Sequence, residues 1–252
     1  MERTKGKLSR ALRKKRANEA LRERYDKLKG WKPSKNASMT YFRKIPKSLI
    51  QSNLSLPSLA VFTVICCEDN YQNKQWVQLS QENIKEKSGI SIPTINKGIK
   101  ELSESKWIKA RKISEGPRHF WTYKPVYYID KETGRDECFF FYTYLIESGI
   151  WAQLDLRAKA LYLALRSYSK FDFELYCDLE EYDHHELSEE IKDIDPRRKW
   201  EVCEKSLAEI CQIIGMSDSN IHLPISQLEK FDLILPIEGK CIVYPLPYDI
   251  EY

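Results

Sequence analysis

The sequence predicts an α+β protein, mainly helical, built as two similar units in tandem. Three observations carry that expectation. An apolar series set around Gly89 (Ile84, Ile95, Ile99, Leu102, Ile108) returns around Gly215 as Ile210, Ile221, Ile225, Leu228 and Ile234, every member 126 positions later. Upstream, Ser48, Ile50, Leu54, Leu56, Ala60 and Phe62 return as Ser148, Ile150, Leu154, Leu156, Ala160 and Tyr162, 100 positions later, and the difference between the offsets implies a 26-residue insertion in the second unit. In both units, segments with helical apolar spacing lead into short β-rich runs divided by a glycine-containing turn, the pattern of helices followed by a hairpin. A repeat of this kind constrains the fold before any local assignment does, because each element has to be accounted for twice.

Residues 1–39 read as a basic arm and linker. Leu8, Leu12, Leu21, Tyr25 and Leu28, with Ala17 and Ala20, give a weak helical stripe that Gly30, Pro33 and Ser34 terminate. The first unit spans 40–135. Pro46 suits the first turn of a helix over IPKSLI, and Ser55 with Pro57 opens the next helix, on which Leu59, Phe62 and Cys66 share a face. Residues 76–79 form a short apolar strand. Ser80 caps a helix over 81–88, and Gly89 supplies its left-handed stop. Another helix runs from 92 to 104 with Pro93 tolerated in its first turn, and two β-rich runs, 107–113 and 119–129, meet at Gly116 and Pro117. The second unit spans 136–252 and repeats the order, with helices over 154–170, 200–214 and 220–229, a hairpin over 233–237 and 241–246, and its insertion near 171–196. The aromatic run Phe139, Phe140, Phe141, Tyr142 and Tyr144 has no interleaved cation, so it reads as core strand and packing between the units, not as a base-stacking platform.

At 252 residues the chain can fill two cores. Its seven cysteines, odd in number and set among apolar neighbours as in Val64, Ile65, Cys66, Cys67, read as buried thiols of a reducing compartment. The amino terminus has charge but lacks the apolar core of a signal peptide, and no run of about 18 apolar residues occurs, so a cytoplasmic protein without a membrane partner is expected. The net charge of +4 conceals a segregation. Residues 1–35 hold fourteen Lys or Arg against four acids, including the consecutive Arg13, Lys14, Lys15 and Arg16, whereas residues 171–195 hold eleven acids against one Lys. The first block suits polyanions, because each cation that neutralises a phosphate releases condensed counterion. The second would repel them.

On the helix over 92–104, Ile95, Ile99 and Leu102 are spaced i, i+4, i+7 and should face the core, which turns Ser91, Thr94, Asn96, Lys97 and Lys100 outward. Hydroxyls and amides can read base edges, and lysines can take phosphate or guanine. Lys109, Arg111 and Lys112 make the next strand basic, and Arg118 with His119 stands at the hairpin tip. The segment LSQENIKEKSGISIPTINKGIKELSESKWIKARKI resembles the helix-turn-helix core of winged-helix DNA-binding proteins, particularly plasmid and phage replication initiators. The resemblance covers residues 40–247 as architecture and 91–108 as motif. It implies two tandem winged-helix domains related by internal duplication. It also implies a DNA-binding role for Ser91, Thr94, Asn96, Lys97, Lys100 and Arg118, joined on charge by Lys109, Arg111, His119 and the arm residues Arg13, Lys14, Lys15 and Arg16.

The second unit departs from this pattern. Leu223 and Ser226 stand where the first unit has Lys97 and Lys100, Pro224 replaces Gly98, and the helix presents Asp218, Asn220, His222 and Gln227 beside a short hairpin. A protein-contact or packing role fits it better than a phosphate backbone does. Cys177, His184, His185 and Cys203 match no zinc spacing, and there is no phosphate-cradling GxxxxGKS loop, so neither a metal, a cofactor nor an enzymatic activity is expected. The reading is a sequence-specific binder of double-stranded DNA, by resemblance a replication initiator that recruits host replication proteins, with a homodimer left open. Two alternatives stand beside it: a transcriptional regulator or conjugation accessory protein with the same DNA chemistry, and a non-catalytic assembly factor using both units for protein contacts.

Overall fold

Two equivalent-looking helices, Leu56–Glu68 and Leu156–Tyr168, lie against each other at the centre of the protein. The computed structural model describes residues 37, 40–68, 76–115, 118–126, 137–172, 200–217, 221–237 and 239–247. The chain divides into the units Met1–Pro33 and Ser34–Tyr252, and everything described belongs to the second. The arm with Arg13, Lys14, Lys15 and Arg16, the hairpin tip at Gly116 and Pro117, and nearly all of the acidic insertion lie outside the described residues.

In chain order the described elements are β1 (Phe42–Pro46), α1 (Lys47–Gln51), α2 (Leu56–Glu68), β2 (Val77–Gln78), α3 (Gln81–Ser88), α4 (Ile92–Glu104), β3 (Ile108–Glu115) and β4 (Arg118–Pro125). There follow β5 (Cys138–Tyr142), α5 (Tyr144–Glu147), α6 (Ile150–Gln153), α7 (Leu156–Tyr168), β6 (Ser169–Lys170), β7 (Glu201–Cys203), α8 (Leu207–Ile213), α9 (His222–Lys230), β8 (Ile234–Ile237) and β9 (Lys240–Val243). Helices predominate and the sheets are small and antiparallel, an α+β arrangement. The strands form a β2-β4-β3 sheet, a β6-β7-β9-β8 sheet and a two-stranded β1-β5 ribbon.

Local chemistry explains the helix ends. Ser80 Oγ accepts the Asn83 N–H at 3.0 Å to start α3, and Gly89, φ 67°, closes it with an N–H to Lys85 O at 2.7 Å. Pro93 sits in the first turn of α4, where its missing N–H costs nothing. In the second half the strand β7 occupies 201–203, where the sequence suggested helix. The helix begins only at Leu207, because Ser206 and Glu209 form a reciprocal capping box there.

The core is larger around α2 and α7 than one helical stripe would give. Ser58 to Cys67 and Ala158 to Ser167 are buried without interruption, so both helices are enclosed on all sides instead of burying one face. The reason is that α2 and α7 pack on each other as well as on their own neighbours. Ribbon β1-β5 joins the same two regions: Phe42 lies opposite Tyr142, Arg43 opposite Phe141, and Thr143 N–H donates to Tyr41 O at 2.9 Å. Arg166, 2% exposed, fastens α7 to the β1-β5 ribbon and to the β6-β7-β9-β8 sheet by donating to Phe140 O at 3.0 Å and pairing with Glu201 at 2.9 Å.

Several backbone details recur at the sequence spacing. Gly89 and Gly215 have φ of 67° and 64°, and Lys106 and Asp232 have φ of 62° and 51°. Ser55 N–H donates to Glu101 Oε1 at 3.0 Å, and Asp155 N–H to Gln227 Oε1 at 2.8 Å. Each contact ties the start of a central helix, α2 or α7, to the helix before a hairpin, α4 or α9. Gln227, expected on the surface, is 1% exposed for this reason.

Candidate nucleic-acid interface

Helix α4 presents the outward face that its periodicity dictates. Ile95, Gly98 and Leu102 are buried, and Ile99 is half-buried at the margin. Burial of Ile95 and Leu102 contributes about 1.5–3 kcal/mol each and fixes the roll of the helix. Ser91, Asn96, Lys97 and Lys100 are exposed on the other side, with Thr94 half-buried.

The side chains differ in how firmly they are held. Ser91 Oγ and Thr94 Oγ1 are 2.9 Å apart at the helix start. Asn96 Oδ1 accepts from Gln81 Nε2 at 2.6 Å, so α3 orients the amide that α4 displays. Lys100 lies 3.8 Å from Glu104, both strongly exposed, an ion pair too long and too wet to hold the ammonium. Lys97 has no carboxylate within ion-pair distance among the described residues. The set offers one oriented amide, two adjacent hydroxyls and two long cations.

Hairpin β3-β4 divides the remaining basic residues between two faces, because successive strand side chains alternate. Lys109 and Arg111 share the outer face with their cross-strand partners Lys124 and Thr122, whereas Lys112 pairs with Trp121 on the face that carries the buried Ile108 and Tyr123. Lys109, Arg111 and Lys112 are therefore not one contiguous patch. The Arg111 guanidinium sits 4.1 Å from the Trp76 ring centroid and its Nε donates to Thr122 Oγ1 at 3.3 Å, which holds it on the outer face. Arg118 and His119 occupy β4 opposite Glu115 and Ser114, and their side chains lie outside the described residues.

Sequence reasoning missed two residues here. Trp121 is 37% exposed beside Lys112, on the face that carries the buried Ile108 and Tyr123. Lys124 stands directly across from Lys109, and like charges in that position oppose pairing. The register, and not the composition, reveals both, since Lys109 and Lys124 are separated by a whole hairpin.

No protein-family model matches the chain, and neither a curated protein nor a solved structure is significantly similar to it. The residues carry the case alone.

The corresponding surface of the second half is chemically different. Leu223 and Ser226 are half-buried on α9, and β8 and β9 have four residues each against eight in β3 and β4. At about 3.4 Å per residue the first hairpin extends roughly twice as far. Cys177, His184 and His185 of the rejected metal arrangement, like Asp218 and Asn220, lie outside the described residues. Among the described residues, no helix is long and apolar enough to cross a membrane.

Proposed function

We propose that the protein is a tandem winged-helix binder of double-stranded DNA, with α4 entering the major groove and hairpin β3-β4 lying along the adjacent backbone. The observation that carries this reading is the pairing of an exposed α4 face, Ser91, Asn96, Lys97 and Lys100, with a hairpin that bears Lys112 on one face and Lys109, Arg111 and Lys124 on the other. None of these four hairpin cations is neutralised by a described carboxylate. A helix of this width fits the groove, amides and hydroxyls there read base edges, and the flanking cations fix register on phosphates. The arm residues Arg13, Lys14, Lys15 and Arg16 add sequence-independent attraction.

Internal duplication is part of the proposal. It is supported by the shared order of helix, strand, helix, helix and hairpin, by the recurring φ values of Gly89 with Gly215 and Lys106 with Asp232, and by the Ser55–Glu101 and Asp155–Gln227 contacts. Under this reading Phe42 and Tyr142, 100 positions apart and directly opposed in the β1-β5 ribbon, are equivalent positions that meet at a local two-fold axis, and the second unit has turned from DNA to packing and protein contact. Replication initiation, with recruitment of host replication proteins, is the role we assign by resemblance. A regulator or conjugation accessory protein would share the DNA chemistry and differ in the arrangement of its sites.

Selection of bound fragments from a random duplex pool at two salt concentrations tests the reading. Enriched repeated sites with salt-dependent affinity are the expected result, a single palindrome would favour the regulator, and no salt-sensitive binding to any duplex would leave only an assembly factor.

A further inference from the structure

The aromatic run that opens the second unit is split by its strand into two populations. Phe139 and Phe141 are buried, whereas Phe140 is 46% exposed. Strand β1 supplies the cation that the run itself lacks. Lys44 lies directly opposite Phe140, and Phe42, 43% exposed, lies opposite Tyr142 on the same face. Phe42 and Phe140 meet edge to face, with centroids 4.6 Å apart and planes at 63°, so the rings do not cover one another as a parallel stack would. Exposed Lys44 has no carboxylate within ion-pair distance among the described residues.

We propose that this face of the β1-β5 ribbon is a stacking platform for single-stranded nucleic acid, with bases on Phe42 and Phe140 and a phosphate at Lys44. Every base has a π-face, so exposed rings beside a cation bind unpaired strands with little regard to sequence. A stable protein partner would need about 800 Å² on each side, far more than two half-exposed phenylalanines and a lysine present, whereas one or two bases match their size. The fourteen Lys and Arg of residues 1–35 precede β1 in the sequence and favour the same polyanion. The platform is distinct from the α4 face, so it stands or falls apart from the duplex reading.

The test uses the full chain and a labelled oligothymidylate, followed by fluorescence anisotropy, with a duplex of equal length in parallel. Phe42→Ala and Phe140→Ala are each expected to weaken oligothymidylate binding about tenfold, while Phe140→Tyr restores it and duplex affinity stays within about twofold. Lys44→Ala should lower the salt slope for the single strand by about 0.7. Unchanged oligothymidylate affinity in both alanine variants would overturn the platform, and so would a shift from dimer to monomer in those variants without any loss of oligothymidylate binding. Melting curves guard against misfolding, since both rings are exposed and their loss should leave the fold intact. Lys97→Ala and Lys100→Ala, which probe the duplex reading, are expected to leave oligothymidylate affinity unchanged.

Discussion

Lys106 and Asp232, 126 positions apart, both hold a left-handed backbone at the end of the helix that precedes a hairpin, with φ of 62° and 51°. In each case the next residue closes the turn: Trp107 N–H donates to Leu102 O at 2.9 Å, and Leu233 N–H to Leu228 O at 3.0 Å. Neither residue is glycine, so each holds a conformation that costs an L side chain about 1–2 kcal/mol. Lys106→Gly and Asp232→Gly are each expected to stabilise the fold by up to about 1 kcal/mol after glycine's own entropy cost. Urea denaturation checks this, and a loss of stability in both variants would show that their side chains matter more than the strain.

The carboxylate of Glu101 collects Ser55 N–H at 3.0 Å and the hydroxyls of Ser55 and Ser58. Burial alone would raise its pKa, but these donors outweigh it and hold the group below its ordinary 4.5. A carboxylate depressed in this way adds stability that is complete above the unfolded value and disappears as pH falls through the folded one. Glu101→Gln keeps an acceptor, as Gln227 does naturally, and loses the charge. The gap in stability between wild type and Glu101→Gln should be constant at neutral pH and close as pH falls through the depressed folded value of Glu101. A gap that is the same at both ends of a denaturation series would remove the assignment.

Lys109 and Lys124, directly opposed on the outer face of hairpin β3-β4, set binding against folding. Lys124→Glu converts a repulsive cross-strand pair into an attractive one and should stabilise the protein by about 0.2–1 kcal/mol. The same change should weaken duplex binding and reduce its salt slope by about one unit or more, if Lys124 neutralises a phosphate. Thermal melting and anisotropy on the same preparation decide it: greater stability with unaltered DNA affinity would take this face out of the interface.

Trp121 and Lys112 lie on the hairpin face that carries the buried Ile108 and Tyr123. Lys97→Ala, Lys100→Ala and Trp121→Ala are each expected to lower duplex affinity by about 1–3 kcal/mol, with Lys97 and Lys100 changing base preference if they reach guanine. Wild-type affinity in all three would dismantle the proposed surface.

Arg166 is nearly inaccessible, yet it serves Phe140 O and Glu201 at once. Arg166→Ala should destabilise the protein by leaving a cavity, an unpaired Phe140 carbonyl and a Glu201 carboxylate held by Ser169 alone, and Arg166→Met should cost less, because it refills the space. Equal, small losses in both would mean that packing and not charge holds this junction.

Much of this was legible in the sequence where the signals are local. Ser80, Gly89 and Pro93 place the ends of α3 and α4 within a few residues of their chemistry, and the spacing of Ile95 and Leu102 turns Lys97 and Lys100 outward. Features that depend on distant pairing were not. β1 is a five-residue strand whose partner lies some hundred residues on, so neither the ribbon nor the exposure of Phe140 next to Lys44 can be read from either segment alone. The division of Lys109 and Arg111 from Lys112 follows from strand register, and the burial of Gln227 from a contact with Asp155. The strand β7 was hidden by helical apolar spacing that only the Ser206–Glu209 cap interrupts.

The pairing of Phe42 with Tyr142 joins two halves whose surfaces differ. Two identical subunits joined in that way would meet a palindrome and could not tell left from right. Here one side offers cations and a long hairpin while the other offers Leu223, Ser226 and a short one. Seated on a duplex, such a chain would point along it, and whatever its second half engages would be delivered to one flank of the bound sequence only.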